Sequence, residues 1–321
     1  MTSVDAPELK QRSASPAPQR AGETRLAEVR VTVRDRMRAL VELTKPGITR
    51  LVLVTTAAGF YLASAGPFDW MALVHVLIGT ALAASGTNAL NQWAERDADA
   101  RMRRTAARPL PSGRLGSGAA LAFSAGIAVA GLVYLLAFVN LTTTLIVGLS
   151  LTSYVFVYTP LKRRTWTSTV IGAVPGALPI LAGWTGAGTA VDWRALVLFL
   201  ILFAWQMPHF FALAWIYRDD YRRGGFQMLT VIDPSGVRAA RQAVGYAAAA
   251  LALSLLPAAF GVASPAYLAG ALLLGVPFVA LSMAQLKVRN DRSAWRLFLG
   301  SVTYLPLLLV LMVVDKAVSG L

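Results

Sequence analysis

Three side chains that carry oxygen atoms recur every four residues near the end of an apolar stretch: Asn91, Glu95 and Asp99. Because positions i, i+4 and i+8 lie on one face of a helix, this spacing predicts that the three side chains point the same way. Carboxylate and amide oxygens bind Mg²⁺, so we expect them to act as metal ligands and catalytic residues. Guanidinium groups suit phosphate, and the arginines expected to bind substrate follow directly: Arg103, Arg104 and Arg108. A metal site followed by an anion site predicts a diphosphate substrate.

A second segment, YTPLKRRT, places an aromatic residue before a group of cations. Tyr158 and Lys162 are four residues apart and therefore share a helical face, and Arg163 follows. We expect Lys162 and Arg163 to neutralise a leaving diphosphate, and Tyr158 to line the path of the reacting carbon. The alternative is an aromatic residue beside basic residues at a membrane interface, which is common without any catalytic role.

A third segment, WQMPHFFALAWIYRDDYRRGGF, ends an apolar stretch with two adjacent acids, Asp219 and Asp220. If these acids face the first three side chains, they supply a second Mg²⁺ site, and two metals can bridge one diphosphate. Arg218 is the expected cationic contact to the substrate here, and His209, ten residues before Asp219, is a candidate base or substrate-binding group. The alternative is that the acids balance neighbouring arginines and that the histidine is an ordinary polar residue in a helix.

Helices that cross a membrane must position these segments. Hydrophobic residues make up 56% of the 321 residues and charged residues only 14%, against about 25% charged in a typical soluble domain. Nine apolar stretches lie between residues 48 and 315, each near the roughly 20 residues needed to cross a bilayer. The sequence therefore predicts an all-α integral membrane protein, with nine transmembrane helices around a central cavity.

The basic residues indicate how the chain is oriented in the membrane. All but two of the 30 Lys and Arg residues, Arg194 and Lys316, fall in segments that nine spans place on one side. By the positive-inside rule this side is the cytoplasm. We therefore predict a multi-pass protein of the cell (inner) membrane, with a cytoplasmic N-terminus and an external C-terminus. All three candidate segments then lie at the cytoplasmic side, where we expect the active site.

Composition also bounds the domains and the chemistry. Residues 1–35 are rich in Ser, Pro, Arg and Glu and have no apolar core of a signal peptide, so we expect a disordered cytoplasmic tail before a membrane domain over 36–318. The basic residues do not form one continuous face, which argues against nucleic acid as a partner despite the net charge of +14. The chain has no cysteine and only two histidines, which excludes thiolate catalysis and argues against a metal site built from several histidines.

The chain resembles the UbiA superfamily of intramembrane prenyltransferases. That superfamily has Asn, an acid and Asp at four-residue intervals, then Arg and Gly, and the similar residues here are Asn91, Glu95, Asp99, Arg104, Thr105, Arg108 and Gly113. Glu95 stands where many members have Asp. Within the superfamily the chain is most similar to the protoheme IX farnesyltransferases, or haem O synthases, through LTKP at 43–46, YTPLKRRT at 158–165, WQMPHF at 205–210, RDDYRRGG at 218–225 and YLPLLL at 304–309. The resemblance covers roughly residues 40–315.

This resemblance implies transfer of a farnesyl group from farnesyl diphosphate to a vinyl group of haem B, with Mg²⁺ as cofactor. Addition of water then gives haem O, with pyrophosphate as the other product. The implied partners are farnesyl diphosphate, haem B, membrane lipid, and haem A synthase or proteins of haem–copper oxidase assembly. His209 becomes a candidate contact to haem or to its iron.

Two other functions remain open from the sequence. A UbiA-type prenyltransferase with an aromatic acceptor such as 4-hydroxybenzoate would need a cationic group for the acceptor's carboxylate. A non-catalytic membrane transporter or assembly protein is the alternative of another class. Transporters place ionisable groups near the middle of the membrane and often contain inverted repeats, and we find neither pattern in this sequence.

Overall fold

The structure, a computed structural model, describes residues 32–320. Within this range the regular elements are helices, and we number the α-helices in chain order. They are α1 (Val33–Leu43), α2 (Pro46–Ala63), α3 (Trp70–Asp99), α4 (Ser117–Phe138), α5 (Leu141–Thr152), a π-helical turn (Ser153–Tyr158), α6 (Thr159–Leu161), α7 (Ser168–Gly186), α8 (Trp193–Ile216), α9 (Arg218–Gly224), α10 (Leu229–Ile232), α11 (Val237–Ala259), α12 (Pro265–Val288) and α13 (Asp291–Ser319).

Nine of these helical segments, within residues 32–320, are long and apolar enough to cross a membrane. They are α2, α3, α4, α5 with its continuation to Leu161, α7, α8, α11, α12 and α13. The predicted all-α fold with nine membrane helices is therefore confirmed. Helix α3 continues past the apolar residues to Asp99, and α13 begins at Asp291.

The predicted tail over 1–35 lies almost wholly outside the described residues, so its predicted disorder stays a prediction. The structure places the start of α1 at Val33, where the Thr32 hydroxyl accepts a hydrogen bond from the Asp35 amide and caps the helix. Two residues then join α1 to α2. Lys45, the second of them, adopts the left-handed conformation with φ of 49°, directly before Pro46.

The membrane helices form two groups that meet at α7 and α8. The first comprises α2, α3, α4, α5 and α7, and the second comprises α8, α11, α12 and α13. Close backbone approach holds α2 against α7, because a Cβ at Gly59 would lie 2.1 Å from the Ile180 carbonyl oxygen. A Cβ at Gly183 would lie 1.9 Å from the Thr56 carbonyl oxygen. Small residues at such crossings let membrane helices pack by van der Waals contact, which is their main means of association in lipid.

Candidate active site

The last turns of α3 carry the three side chains of the first motif on one buried face. Asn91, Glu95 and Asp99 are 1%, 5% and 1% exposed, respectively. The helix continues unbroken to Asp99, as the four-residue spacing requires. Burying two carboxylates is costly unless each meets a partner. The partners therefore define what this site can bind.

Both ends of the Asn91 amide are hydrogen-bonded. Its Nδ2 donates to the Thr159 hydroxyl at 3.0 Å, and its Oδ1 accepts from Lys45 Nζ at 3.1 Å. Burial lowers the pKa of Lys45 to about 7, and the nearby charge of Arg108 adds to the decrease. Lys45 is not among the site residues predicted from the sequence. The only signal for it was its place in LTKP, immediately before a membrane helix.

Glu95 is paired with the lysine of the second motif. Lys162 Nζ donates to Glu95 Oε1 at 2.7 Å, and it also lies 4.4 Å from the centre of the Tyr158 ring. Burial alone opposes the charge of Lys162, but the Glu95 carboxylate outweighs that effect and raises the pKa of Lys162 well above its ordinary value. The predicted proximity of Tyr158 and Lys162 is thus present in the structure, and Lys162 remains an ammonium group inside the site.

A π-helical turn places the second motif. It spans Ser153–Tyr158. The Thr159 hydroxyl, which accepts the hydrogen bond from Asn91, donates in turn to the Tyr154 carbonyl at 2.8 Å. Such turns are rare and often occur at functional sites. The Tyr158 ring fits against α7 only because residue 172 is glycine, since a Cβ there would lie 2.5 Å from the ring.

One oxygen of Asp99 has no partner among the described residues. Asp99 Oδ2 accepts from Arg108 at 2.7 Å, whereas Asp99 Oδ1 is buried without a hydrogen bond. The Thr105 hydroxyl donates to the Asp99 main-chain carbonyl at 2.8 Å and ties the following turn to the end of α3. A buried polar atom without a partner costs about 1–3 kcal/mol, and more when it is charged. The free oxygen is therefore a place for a cation.

These residues fit Mg²⁺ chemically. The three side chains on α3 present only oxygen ligands, which Mg²⁺ prefers, and Asp99 Oδ1 is still available. No three Asp, Glu or His side chains gather into a possible metal cluster within residues 32–320. Mg²⁺ in proteins is usually held by one or two carboxylates together with substrate phosphates and water.

The adjacent acids of the third motif are in different environments. Asp220 is buried and accepts hydrogen bonds from the main-chain amides of Arg103 and Arg104, both at 3.2 Å, and from the Arg223 side chain at 2.9 Å. Asp219 is 66% exposed at its side chain and pairs with Arg222 at 2.9 Å. Through these hydrogen bonds Asp220 stabilises the segment that follows α3, a role that the sequence alone did not indicate. A second metal held by these acids stays a prediction.

The arginines that were predicted to bind substrate also lie in different environments. Arg108 lies inside the site, on Asp99, whereas Arg103, Arg104 and Arg163 are exposed around it. The Arg104 guanidinium lies 4.7 Å from the centre of the Tyr217 ring. Arg218 turns toward α13 and contacts Asp291 at 2.8 Å. Its predicted contact with the substrate therefore has no support from this arrangement.

His209 lies between α8 and α13. Its Nδ1 is 2.9 Å from the Ser301 hydroxyl, and its ring stacks on Trp205 with centres 5.5 Å apart. Among residues 32–320, its hydrogen bonds do not join it to the acids of α3. A role toward the acceptor stays a prediction, while a role at the diphosphate is not supported by these contacts.

An apolar cavity lies beside the three α3 side chains, between α2, α3, α5 and α7. Asn88 and Tyr154 line this cavity. Asn88 lies about one helical turn from Asn91 on α3, so this end of the cavity is the end nearest Asn91. The rest of the wall is largely aliphatic: Ile48, Val52, Ala84, Val147, Pro175, Gly176, Leu178, Pro179 and Ala182, with Thr80, Thr87 and Ser150. Buried oxygen ligands and cations thus adjoin a space suited to an apolar chain.

The chain is similar to known proteins in sequence and in fold. The profile of the UbiA prenyltransferase family matches residues 52–307. A protoheme IX farnesyltransferase from Solibacter usitatus is 46% identical over 289 residues, which cover 87% of this chain and 99% of the relative. Another from Opitutus terrae is 43% identical over 281 residues, covering 86% and 94%.

Solved structures share the fold at low sequence identity. A structure of digeranylgeranylglyceryl phosphate synthase aligns with a TM-score of 0.74 and 18% identity, covering 88% of this chain and 98% of that chain. A UbiA homologue from Archaeoglobus fulgidus, bound to GPP and Mg²⁺, aligns with a TM-score of 0.63 and 16% identity, covering 85% and 99%. These neighbours support the arrangement of helices described above.

Proposed function

This chain belongs to the UbiA prenyltransferase family, and from that premise we propose that it transfers a farnesyl group from farnesyl diphosphate to a vinyl group of haem B. One observation carries the diphosphate part: Asn91, Glu95 and Asp99 lie buried on one face, with Asp99 Oδ1 unpaired, at the end of an apolar cavity. The acceptor is inferred from the relatives, which are named protoheme IX farnesyltransferases and match most of the chain.

Asn91, Glu95 and Asp99 would hold Mg²⁺ together with the diphosphate, as a relative of the same fold is described with GPP and Mg²⁺. When bound, the metal supplies electrostatic stabilisation of the departing pyrophosphate. Arg108 and Lys162 lie at the two carboxylates, within reach of a diphosphate bound there, and would supply positive charge to its phosphate oxygens. Lys162 keeps its proton at Nζ, because Glu95 raises its pKa, and so provides a permanent charge for the leaving group.

The reaction breaks the bond between the allylic carbon and the diphosphate oxygen, and it forms a bond between that carbon and the terminal vinyl carbon of haem B. The positive charge then lies on the vinyl carbon next to the porphyrin ring, where water adds and releases a proton to solvent. Tyr158 sits over Lys162 and can face the allylic carbon, since an aromatic face stabilises a nearby cation. The apolar cavity excludes water from that cation until the new bond forms.

The basic segments support a site at the cytoplasmic side of the membrane, as proposed from the positive-inside rule. Family membership makes the chain a prenyltransferase, so a non-catalytic transporter is no longer an alternative. Another acceptor, such as 4-hydroxybenzoate, is disfavoured because the relatives with 38–46% identity carry the haem-specific name. Delivery of the product to haem A synthase or to oxidase assembly proteins stays a prediction.

The test uses the full chain in membrane vesicles with farnesyl diphosphate, Mg²⁺ and either haem B or 4-hydroxybenzoate. We expect a haem product whose mass has increased by one farnesyl group and one hydroxyl group, and no farnesylated benzoate. A matched preparation of the Asp99→Asn variant controls for other enzymes in the membrane. Farnesylation of 4-hydroxybenzoate without farnesylation of haem B would refute the proposed acceptor, and failure with both would refute the function.

A further inference from the structure

Helix α1 presents an apolar stripe that stays exposed among the described residues. Val33, Met37 and Val41 are 79%, 57% and 57% exposed, respectively. Because residues four apart share one side of a helix, these three side chains form a continuous stripe. A different side of α1 packs on the protein, where Ala39 and Leu43 are fully buried against residues of α3 and α4. The packing of the bundle therefore does not explain the stripe.

Arginines border this apolar stripe on both of its sides. At about 100° per residue, Arg34 and Arg38 follow the stripe on one side, and Arg36 lies on the other. All three are exposed. The acids of the helix, Asp35 and Glu42, lie on the third side, away from the stripe. Apolar side chains flanked by guanidinium groups are typical of a helix that lies in the headgroup layer of an anionic membrane.

The position of α1 in the chain also fits the membrane surface. Its 11 residues are too few to cross a bilayer. It ends two residues before α2, which begins at Pro46 and is one of the membrane spans. The left-handed conformation of Lys45 separates the two helices, so α1 does not extend the span. Lys45 contacts Asn91, and α1 therefore lies at the end of the bundle that carries the α3 acids.

The connection between α1 and α2 joins the helix to the candidate active site. Gln92 Nε2 donates to the Leu43 carbonyl at 2.8 Å, and Lys45 Nζ donates to Asn91 Oδ1 at 3.1 Å. A left-handed conformation is unfavourable for a residue with a Cβ, so it persists only where the surrounding segments hold it. The seat of α1 is one of those segments, and the place of the Lys45 ammonium group depends on it.

A salt bridge connects α1 to the segment after α3 as well. Arg114 pairs with Glu42 at 2.8 Å and also donates to the Ala107 carbonyl at 2.6 Å. The neighbouring residue, Arg108, is the partner of Asp99. Two of the three cations at the candidate site therefore lie on segments that α1 contacts directly.

We propose that α1 is a binding surface for anionic phospholipid, and that the docked helix keeps Lys45 on Asn91. The apolar stripe enters the headgroup layer, and the arginines that border it meet lipid phosphates. Without anionic lipid, only the protein-facing side holds the helix, and Lys45 can relax to a conformation that loses Asn91. The part of this proposal that concerns Lys45 rests on the proposed function.

The first measurement locates the apolar stripe. Because the chain has no cysteine, Met37→Cys on the stripe and Glu42→Cys on the acidic side can each carry a single fluorophore. The full chain is placed in nanodiscs of phosphatidylcholine, alone or mixed equally with phosphatidylglycerol, with nitroxide-labelled acyl chains as quencher. We expect at least about threefold stronger quenching at position 37 than at position 42, and a further increase at position 37 with phosphatidylglycerol.

The second measurement tests the link to the site through binding of farnesyl diphosphate with Mg²⁺, which needs no acceptor. The wild type should bind about three- to tenfold more tightly with phosphatidylglycerol, the gain expected from keeping Lys45 on Asn91. A negative surface alone would repel the diphosphate, so a general charge effect has the opposite sign. Lys45→Met should lose the gain.

A matched pair of double variants tests the arginines. Arg34→Gln with Arg38→Gln should lose most of the gain, because each arginine near an anionic surface strengthens binding about fivefold. Arg292→Gln with Arg296→Gln removes two exposed arginines, also four residues apart, from α13 and should keep the gain. Equal losses in both pairs would overturn a specific role for α1.

The remaining outcomes separate this proposal from the proposed function. A label at position 37 that lipid does not quench would overturn the lipid surface; if the chain then elutes as a dimer, a second copy covers the stripe instead. Quenching with equal diphosphate binding in the two lipids would overturn the link to Lys45. Absence of farnesyl diphosphate binding in every membrane would refute the proposed function, while the quenching result would still decide the lipid surface.

Discussion

Replacing Asp99 by Asn separates the catalytic role of this residue from its role in folding. The substitution keeps the size of the side chain and an oxygen that can accept from Arg108, but it removes the charge that Asp99 Oδ1 would present to a metal. Asp97 provides a matched control on the same helix, because its side chain is 74% exposed and its nearest cation, on Arg96, is 3.9 Å away. The same chemical change is therefore made at a buried and at an exposed position.

The expected loss of activity is much larger than the expected loss of stability. Removing one preorganised group from an electrostatic site typically lowers kcat by about 10²–10³, or about 2.7–4 kcal/mol. The ion pair with Arg108 is partly open to solvent, with the arginine side chain 23% exposed. Its conversion to a hydrogen bond should therefore cost less than the about 3–5 kcal/mol of a fully buried pair. The Asp99→Asn protein should insert and fold.

The assay follows farnesylated haem in membrane vesicles as Mg²⁺ is varied. We expect Asp99→Asn to lower turnover at least about a hundredfold and to raise the Mg²⁺ concentration for half-maximal activity, while Asp97→Asn stays within about twofold of the wild type. Equal amounts of folded protein are verified by detergent gel filtration. An Asp99→Asn enzyme with wild-type turnover and an unchanged Mg²⁺ midpoint would refute the assignment of this carboxylate to the metal.

Three further variants test the contacts around this site. Lys45→Met removes the donor to Asn91 and should raise the KM for farnesyl diphosphate about tenfold, with Lys45→Arg closer to the wild type; equal KM values in both would contradict a role for this charge. Asp220→Ala frees the main-chain amides after α3, so trypsin should cleave this segment faster, whereas Asp219→Ala should behave as the wild type. His209→Ala should leave the KM for farnesyl diphosphate within about twofold, because this ring contacts α13; a large increase would place His209 at the diphosphate.

Periodicity made the α3 motif predictable. A helical repeat fixes the relative directions of residues four apart, so the shared face of Asn91, Glu95 and Asp99 follows from local geometry alone. The same holds for Tyr158 and Lys162, which the short helix α6 joins, although a π-helical turn precedes it. Apolar length likewise predicts spans, because a helix must satisfy its main-chain groups internally to cross lipid.

Pairings between distant segments were not predictable in this way. Lys162 and Glu95 are separated by 67 positions, and Asp220 and the Arg103 amide by 117. Which cation meets which acid depends on how the helices pack, and close contacts such as that at Gly172 decide this packing. The adjacent acids Asp219 and Asp220 illustrate the limit, because one is exposed and the other is buried.

The charges of the site suggest how a metal and a diphosphate would enter it. Without ligand, Glu95 and Asp99 are balanced by Lys162 and Arg108, while Lys45 on Asn91, whose pKa burial lowers to about 7, is only partly charged near neutral pH. A metal entering alone would add positive charge to a site whose acids are already balanced, which is unfavourable in a poorly solvated place. A metal entering with a diphosphate would bring net negative charge, which favours the protonated form of Lys45. We therefore expect the metal and the diphosphate to bind together, and Lys45 to contribute to that joint preference.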